Sequence, residues 1–320
     1  MKTRTVIQEL LEKNLLSEPQ AEQLQAYESQ KPVSLYYLLH ILLYASVSAF
    51  IAGIGVLIYQ NIDSIGHSVL IGALCLLMLA CFGYVFQKSA PFQWQAFTDR
   101  QPILEGILLL GCLLFLAIEG YVQYQYQLFG ERYGVAVLIP ALLFFFLSYR
   151  FDHQGVLSLS LTAFASWAGL TAAPSQLLVS NDFSDPVIIH AGLAVGVFFV
   201  ALGVFLARKG IKPHFMYTYL LIAGTLFLAS ASGGLFTIDS WQLLYAALIA
   251  GGCWYFYTYA RTHGSLLFLL LSVVFGYTAF TYLLFHNISM DAGFFLGSFY
   301  FLASAAGVVW FFLNFKKLLK

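Results

Sequence analysis

Residues 103–126 read ILEGILLLGCLLFLAIEGYVQYQY, an apolar run long enough to cross a bilayer that nevertheless carries two carboxylates. At about 100° and 1.5 Å per residue, Glu105, Cys112, Glu119 and Tyr126 recur every seven positions, drifting only about 20° per step, with Gln123 beside them. The opposite face is Ile107, Leu110, Leu114 and Ile118. Such a helix should turn its polar stripe toward the protein interior or a wet cavity and its apolar face toward lipid or an apolar neighbour. The two glutamates would stand about 21 Å apart along the axis, too far to share one reaction and suited to opposite ends of one pathway.

The rest of the chain has the same character. Hydrophobic residues make up 60% and charged residues 9%, against roughly 25% charged in a soluble domain, and mean hydropathy is +0.81. Fifteen basic and fifteen acidic side chains cancel, so net charge gives no argument for a nucleic-acid partner. Cys75, Cys81, Cys112 and Cys253 all lie in apolar segments without a CxxC, as small packing residues do. Lys2 and Arg4 precede the polar run TVIQELLEKN, which is no signal-peptide core, so no cleaved signal is expected.

From Pro32 onward, apolar runs of roughly 18 to 24 residues, each about the length that spans the hydrocarbon, follow one another. The fold class expected is all-α, a polytopic transmembrane bundle of ten helices near 36–59, 67–86, 103–125, 134–149, 155–173, 187–207, 214–235, 240–259, 265–285 and 292–313. With the N-terminus inside, the inner segments hold Lys2, Arg4, Lys13, Lys31, Lys88, Arg100, Arg150, Arg208, Lys209, Lys212, Arg261, Lys316, Lys317 and Lys320, leaving Arg132 alone outside. That bias predicts both termini in the cytoplasm. The outer loops would carry Asp63, Glu131, Asp182, Asp185, Asp239 and Asp291. Two five-helix halves would insert with opposite topology, although no residue-level repeat is visible. Gly192 with Gly196, and Gly293 with Gly297, would let helices six and ten approach neighbours closely. Pro140 would loosen helix four.

Residues 1–31 form a separate domain in this reading, a cytoplasmic helical hairpin, with 32–320 as the transmembrane domain. Val6, Ile7, Leu10, Leu11 and Leu15 recur at helical spacing, and Ser17-Glu18-Pro19-Gln20 offers an N-cap, an acidic first turn, an early proline and a capping-box Gln. Two short helices cannot bury a core alone and should lean on the membrane domain, a second copy or another protein.

The leader LLEKNLLSEPQAEQLQAYE at residues 10–28, with the abrupt change to membrane spans after Pro32, resembles a bacterial family of multi-pass predicted membrane proteins of unknown function. The resemblance implies a bacterial inner-membrane protein, and supplies no reaction and no site residues.

The candidate cavity or proton-carrying residues are Glu119, Gln123, Tyr124, Glu105 and His190. A carboxylate at the depth of Glu119 must be hydrated, paired or protonated, the last making it a proton carrier. Gly120, Tyr121, Gln123, Tyr124 and Tyr126 could complete an outward-facing polar pocket, while Glu105 near Arg100 can equally snorkel to the interface. His40 and His190 suit interface positions as well as ligation. His67, His190 and His286 with the outer aspartates are suitable metal ligands in type but lack ligand spacing, so no metal and no cofactor are expected. HExxH, GxSxG, P-loop and GxGxxG motifs are all missing, and no catalytic residue is assigned.

Two functions compete. One is a carrier or permease for a small molecule or ion with a polar interior around Glu119; the other is a non-transporting scaffold or signalling component whose residues 1–31 dock a cytoplasmic protein partner. An intramembrane hydrolase would need a nucleophile and base within hydrogen-bond reach in a wet cleft. A polar cavity reaching the midplane would favour the carrier, a dry bundle the scaffold.

Overall fold

The computed structural model describes residues 16–17, 19–23, 36–96, 101–130, 132–173, 183–286 and 290–319. Among the described residues ten long helices follow one another: α1 Tyr36–Ile65, α2 His67–Lys88, α3 Pro102–Tyr126, α4 Tyr133–Phe151, α5 Gln154–Ala172, α6 Pro186–Arg208, α7 Pro213–Thr237, α8 Gln242–His263, α9 Leu266–His286 and α10 Met290–Leu318. The described residues include no strand. Eight of these helices, α2 to α7 with α9 and α10, are long and apolar enough to cross a membrane. In α1 the apolar stretch is the shorter Ile41–Val56, and α8 is diluted by Gln242, Thr258, Arg261, Thr262 and His263. Helices are the expected answer to such composition, because each satisfies its own backbone polar groups where water is absent.

The chain divides into two compact units, Met1–Phe50 and Ile51–Lys320, with the boundary inside α1. In the first unit, most of the expected leader hairpin, including residues 6–15, lies outside the described residues. Its second helix begins as its sequence requires: Ser17 N–H donates to Gln20 Oε1 at 3.2 Å, the reciprocal half of a capping box. Residues 19–23 are helical, with Ala21 2% exposed.

In the second unit, consecutive helices pack side by side, most extensively α4 with α5, α8 with α9, α2 with α3 and α6 with α7. Short connections force this antiparallel order. Asp152 and His153 alone join α4 to α5, and Gly264, at φ 63°, ends α8, a left-handed geometry that glycine accepts without a Cβ penalty. The Asp185 carboxylate accepts from Val187 N–H at 2.7 Å and His153 Nδ1 from Val156 N–H at 3.0 Å, capping α6 and α5. Helix α1 runs to Ile65, so Asp63 lies in its last turn rather than in a loop.

The apolar face of α3 meets a neighbour as expected. Leu114 is fully buried, and Ile107, Leu110 and Ile118 pack with it against Leu70, Leu74, Met78 and Cys81 of α2 and Ile51 and Ile54 of α1. Glycine sets the α6–α7 spacing. A Cβ at Gly192 would fall 2.2 Å from Ser230 Oγ, and one at Gly196 would fall 3.0 Å from both Ala223 O and Phe227 Cα. The corresponding approach at Gly297 is an ordinary 3.5 Å from a Phe285 ring carbon; the side-chain surroundings of Gly293 lie outside the described residues. Pro140 is buried inside α4, which continues through it. Helix α7 opens with a 3₁₀ turn at Pro213–Phe215 and widens into a π-helical stretch at Leu220–Gly224.

Candidate functional site

The structure separates the residues of the polar stripe. Glu105 lies in the first turn of α3 and Glu119 near its far end, both half-buried. Between them, Cys112 is 0% exposed and sits in a core cluster with Val85, Leu108, Phe144, Leu147, Phe151 and Val156. At Cys112 the stripe faces the interior, toward α4 and α5, and there it is closed by leucine and phenylalanine packing. Among the described residues Glu119 makes no hydrogen bond or ion pair, and neither Arg132 nor His190 reaches it.

Gln123 is a structural clamp. Its Nε2 donates to Gly130 O at 2.9 Å and its Oε1 accepts from Phe129 N–H at 3.0 Å, holding the turn after α3, where Gln127 adopts φ 46°. Tyr124 is 84% exposed and Tyr126 52%. His67 Nδ1 and the Tyr121 hydroxyl join the start of α2 to the end of α3. His190 is exposed on α6, its Nε2 3.0 Å from the Tyr245 hydroxyl of α8. The five candidates therefore do not converge on one cavity, and the side chain of His40 lies outside the described residues. Among the described residues no group of His, Cys, Asp or Glu could hold a metal ion.

Polar groups gather instead where α2 meets α3, α4 meets α5 and α6 meets α7, here called the Lys212 end. Lys212 Nζ lies 2.9 Å from Asp152 Oδ1, with the two side chains 0% and 2% exposed. His214 Nε2 approaches the same oxygen at 2.8 Å, without hydrogen-bonding alignment. The Lys212 ammonium also donates to Gln95 O at 3.3 Å, and its backbone N–H to Trp94 O at 2.8 Å. Both members of the ion pair hold left-handed backbones, Asp152 at φ 58° and Lys212 at φ 42°. Asp tolerates that region by local hydrogen bonding, whereas a lysine there requires its surroundings to hold it. Gln154 Nε2 donates to His214 O at 3.3 Å, and the hydroxyls of Tyr149 and Tyr219 meet at 2.9 Å. These bonds stitch the α4–α5 turn to the α6–α7 connection.

Beside this cluster a polar cleft of about 270 Å³ is lined by Lys88, Ser89, Gln101, Glu105, Asp152 and His153 over a floor that includes Val85, Leu104 and Leu108. Glu105 thus joins a set of ionisable groups that sequence reading did not assemble. A second cavity, at mid-height between α4, α5 and α6, has about 580 Å³ and an almost wholly apolar lining. Glu119 lines neither.

Asp152, His153 and Lys212 were legible only as residues of short connections, Lys212 as one of the inner basic residues, and His214 only as the first residue of the seventh apolar run. The signal was the shortness of the two connections that carry Asp152, His153 and Lys212.

The fold defines the class: a polytopic helical membrane protein, here with a buried ion pair at one end of the bundle. Over residues 8–157 the chain matches the family described as Predicted membrane protein (DUF2157), in line with the resemblance carried by its leader. That segment ends just beyond the α4–α5 turn, so it contains Asp152 and stops short of Lys212. No curated protein and no solved structure matches the chain.

Proposed function

We propose that this chain is a non-transporting membrane component, a scaffold or signalling subunit, rather than a carrier of polar solutes. The observation that carries the reading is Cys112: a path joining Glu105 to Glu119 along α3 must pass it, and it is 0% exposed among aliphatic and aromatic side chains. The mid-height cavity between α4 and α6 is apolar as well, an unsuitable environment for a hydrated ion or polar substrate. The working surface in this reading is the Lys212 end, on the cytoplasmic side of a bacterial inner membrane, an orientation that the excess of Lys and Arg in the inner segments supports, with residues 1–31 docking a cytoplasmic protein partner.

On a chain retaining Cys112 alone, a charged thiol reagent should leave that residue unlabelled in native membranes; labelling would return the carrier. Orientation has its own check. Single cysteines at Ser180 and Lys209, probed in intact cells with an impermeant reagent, should label at 180 and be protected at 209, and the reverse pattern would invert the topology. Deleting residues 1–30, with Lys31 kept and one basic residue added, should leave a folded membrane domain. Its loss would make the leader part of the core.

A further inference from the structure

We propose that the groove between α4, α5 and α6 holds one acyl chain of an anionic phospholipid, whose headgroup is bound by Lys209. The groove has about 580 Å³ and is lined by Leu142, Phe145, Trp167, Phe198 and Leu202 among others, with almost no polar surface, within the size range of ligand pockets. Its three helices all qualify as membrane spans, so what surrounds the opening is hydrocarbon. An acyl chain supplies the contacts that water, lacking polar partners there, would not. Phe145, Phe164 and Phe199 form its aromatic wall, with Phe164 5.2 Å from Phe199 and 6.2 Å from Phe145 between ring centroids.

The charge argument selects the headgroup. Lys209, which caps the end of α6 in a helical backbone conformation, follows Leu202 by seven residues, within about 20° of the same face, and Phe198, Phe205 and Lys209 continue one stripe. Lys209 Nζ stands 5.9 Å over the Phe205 ring. Among the described residues no carboxylate pairs with it, and exposed Arg208 adjoins it. From Phe198 to Lys209 the axial rise is about 16 Å, close to one leaflet of a hydrocarbon core about 30 Å thick. A chain reaching the groove therefore places its phosphate beside Lys209, where a basic side chain favours an anionic lipid.

Trp167 reports on the site directly. The other tryptophans, Trp94, Trp241, Trp254 and Trp310, are replaced by Phe, and the protein is reconstituted in phosphatidylcholine vesicles. These contain a small fixed fraction of either dibrominated phosphatidylglycerol or dibrominated phosphatidylcholine. Bromine quenches tryptophan on contact, and the anionic lipid should occupy the groove about fivefold more often than the neutral one. Lys209→Gln should remove that preference and Lys209→Arg should keep it, both in chains that remain monodisperse with the parent's thermal unfolding. Equal quenching by the two lipids, no quenching by either, or a preference that survives Lys209→Gln would overturn the proposal.

Discussion

Replacing Asp152 by Asn isolates the charge at the Lys212 end, because Asn tolerates the left-handed backbone that Asp152 holds at φ 58°. At 2.9 Å and an effective dielectric near 20, the Asp152–Lys212 attraction is about 6 kcal/mol. Desolvation of both groups offsets much of it, yet removing one partner of a buried pair still costs about 3–5 kcal/mol, because the surviving charge stays buried. Lys212 is fully buried, and the Asp152→Asn side chain would offer its ammonium only a neutral amide, so the expected loss lies in that range. Lys212→Met alone would take the ammonium away from the buried carboxylate and leave the latter beside His214. The double variant removes both charges and should lie within about 2 kcal/mol of the parent, a coupling that separate small effects would not give. Reversible unfolding in mixed detergent micelles measures all four chains. A loss under about 1 kcal/mol for Asp152→Asn, or strictly additive single effects, would refute the idea that this pair latches the α4–α5 turn to the α6–α7 connection.

Four further substitutions test packing and hydrogen bonding elsewhere in the bundle. Gly196→Ala should cost about 1–3 kcal/mol by overpacking, since the added methyl meets backbone atoms of α7 at 3.0 Å, while Gly297→Ala should be nearly neutral; thermal unfolding compares them. Gln123→Ala deletes both side-chain hydrogen bonds to the turn after α3 and should cost about 1–3 kcal/mol, with faster amide exchange at Phe129 as its local signature. Glu119→Gln should change stability by less than about 1 kcal/mol, because Glu119 has no ion pair among the described residues to break; a loss of several kcal/mol in the same assay would reveal one.

Much of the fold was legible because spanning helices are written locally. The run chosen as 103–125 is the helix Pro102–Tyr126, and the short fourth and fifth runs, 134–149 and 155–173, are Tyr133–Phe151 and Gln154–Ala172. Apolar length sets such elements, and Pro102, Pro186 and Gly264 punctuate them where sequence rules place proline and glycine. Gly192 and Gly196 announced a close helix contact, although not that α7 would make it. The site was less legible. Asp152 and Lys212 are 60 positions apart, and nothing local marks one as the other's partner; that pairing comes from the packing of α5, α6 and α7. Gln123, read as a cavity amide, holds the backbone turn that runs on to Gly130. Cys112 fell on the polar stripe by spacing, but whether that stripe is wet depends on Phe144 and Leu147 from another helix.

The dry centre of that stripe is the central claim, and solvent access along α3 tests it most directly. Three chains, each with one cysteine at position 105, 112 or 119 and the remaining native cysteines replaced by alanine, are labelled in oriented membranes with a small charged thiol reagent applied from either side. The account predicts labelling at 105 only from the side bearing the Lys212 end, through the cleft it lines, and protection of Cys112 from both sides. Labelling of Cys112 by the charged reagent from either side, in folded protein, would contradict it and restore a water-filled path between the two glutamates.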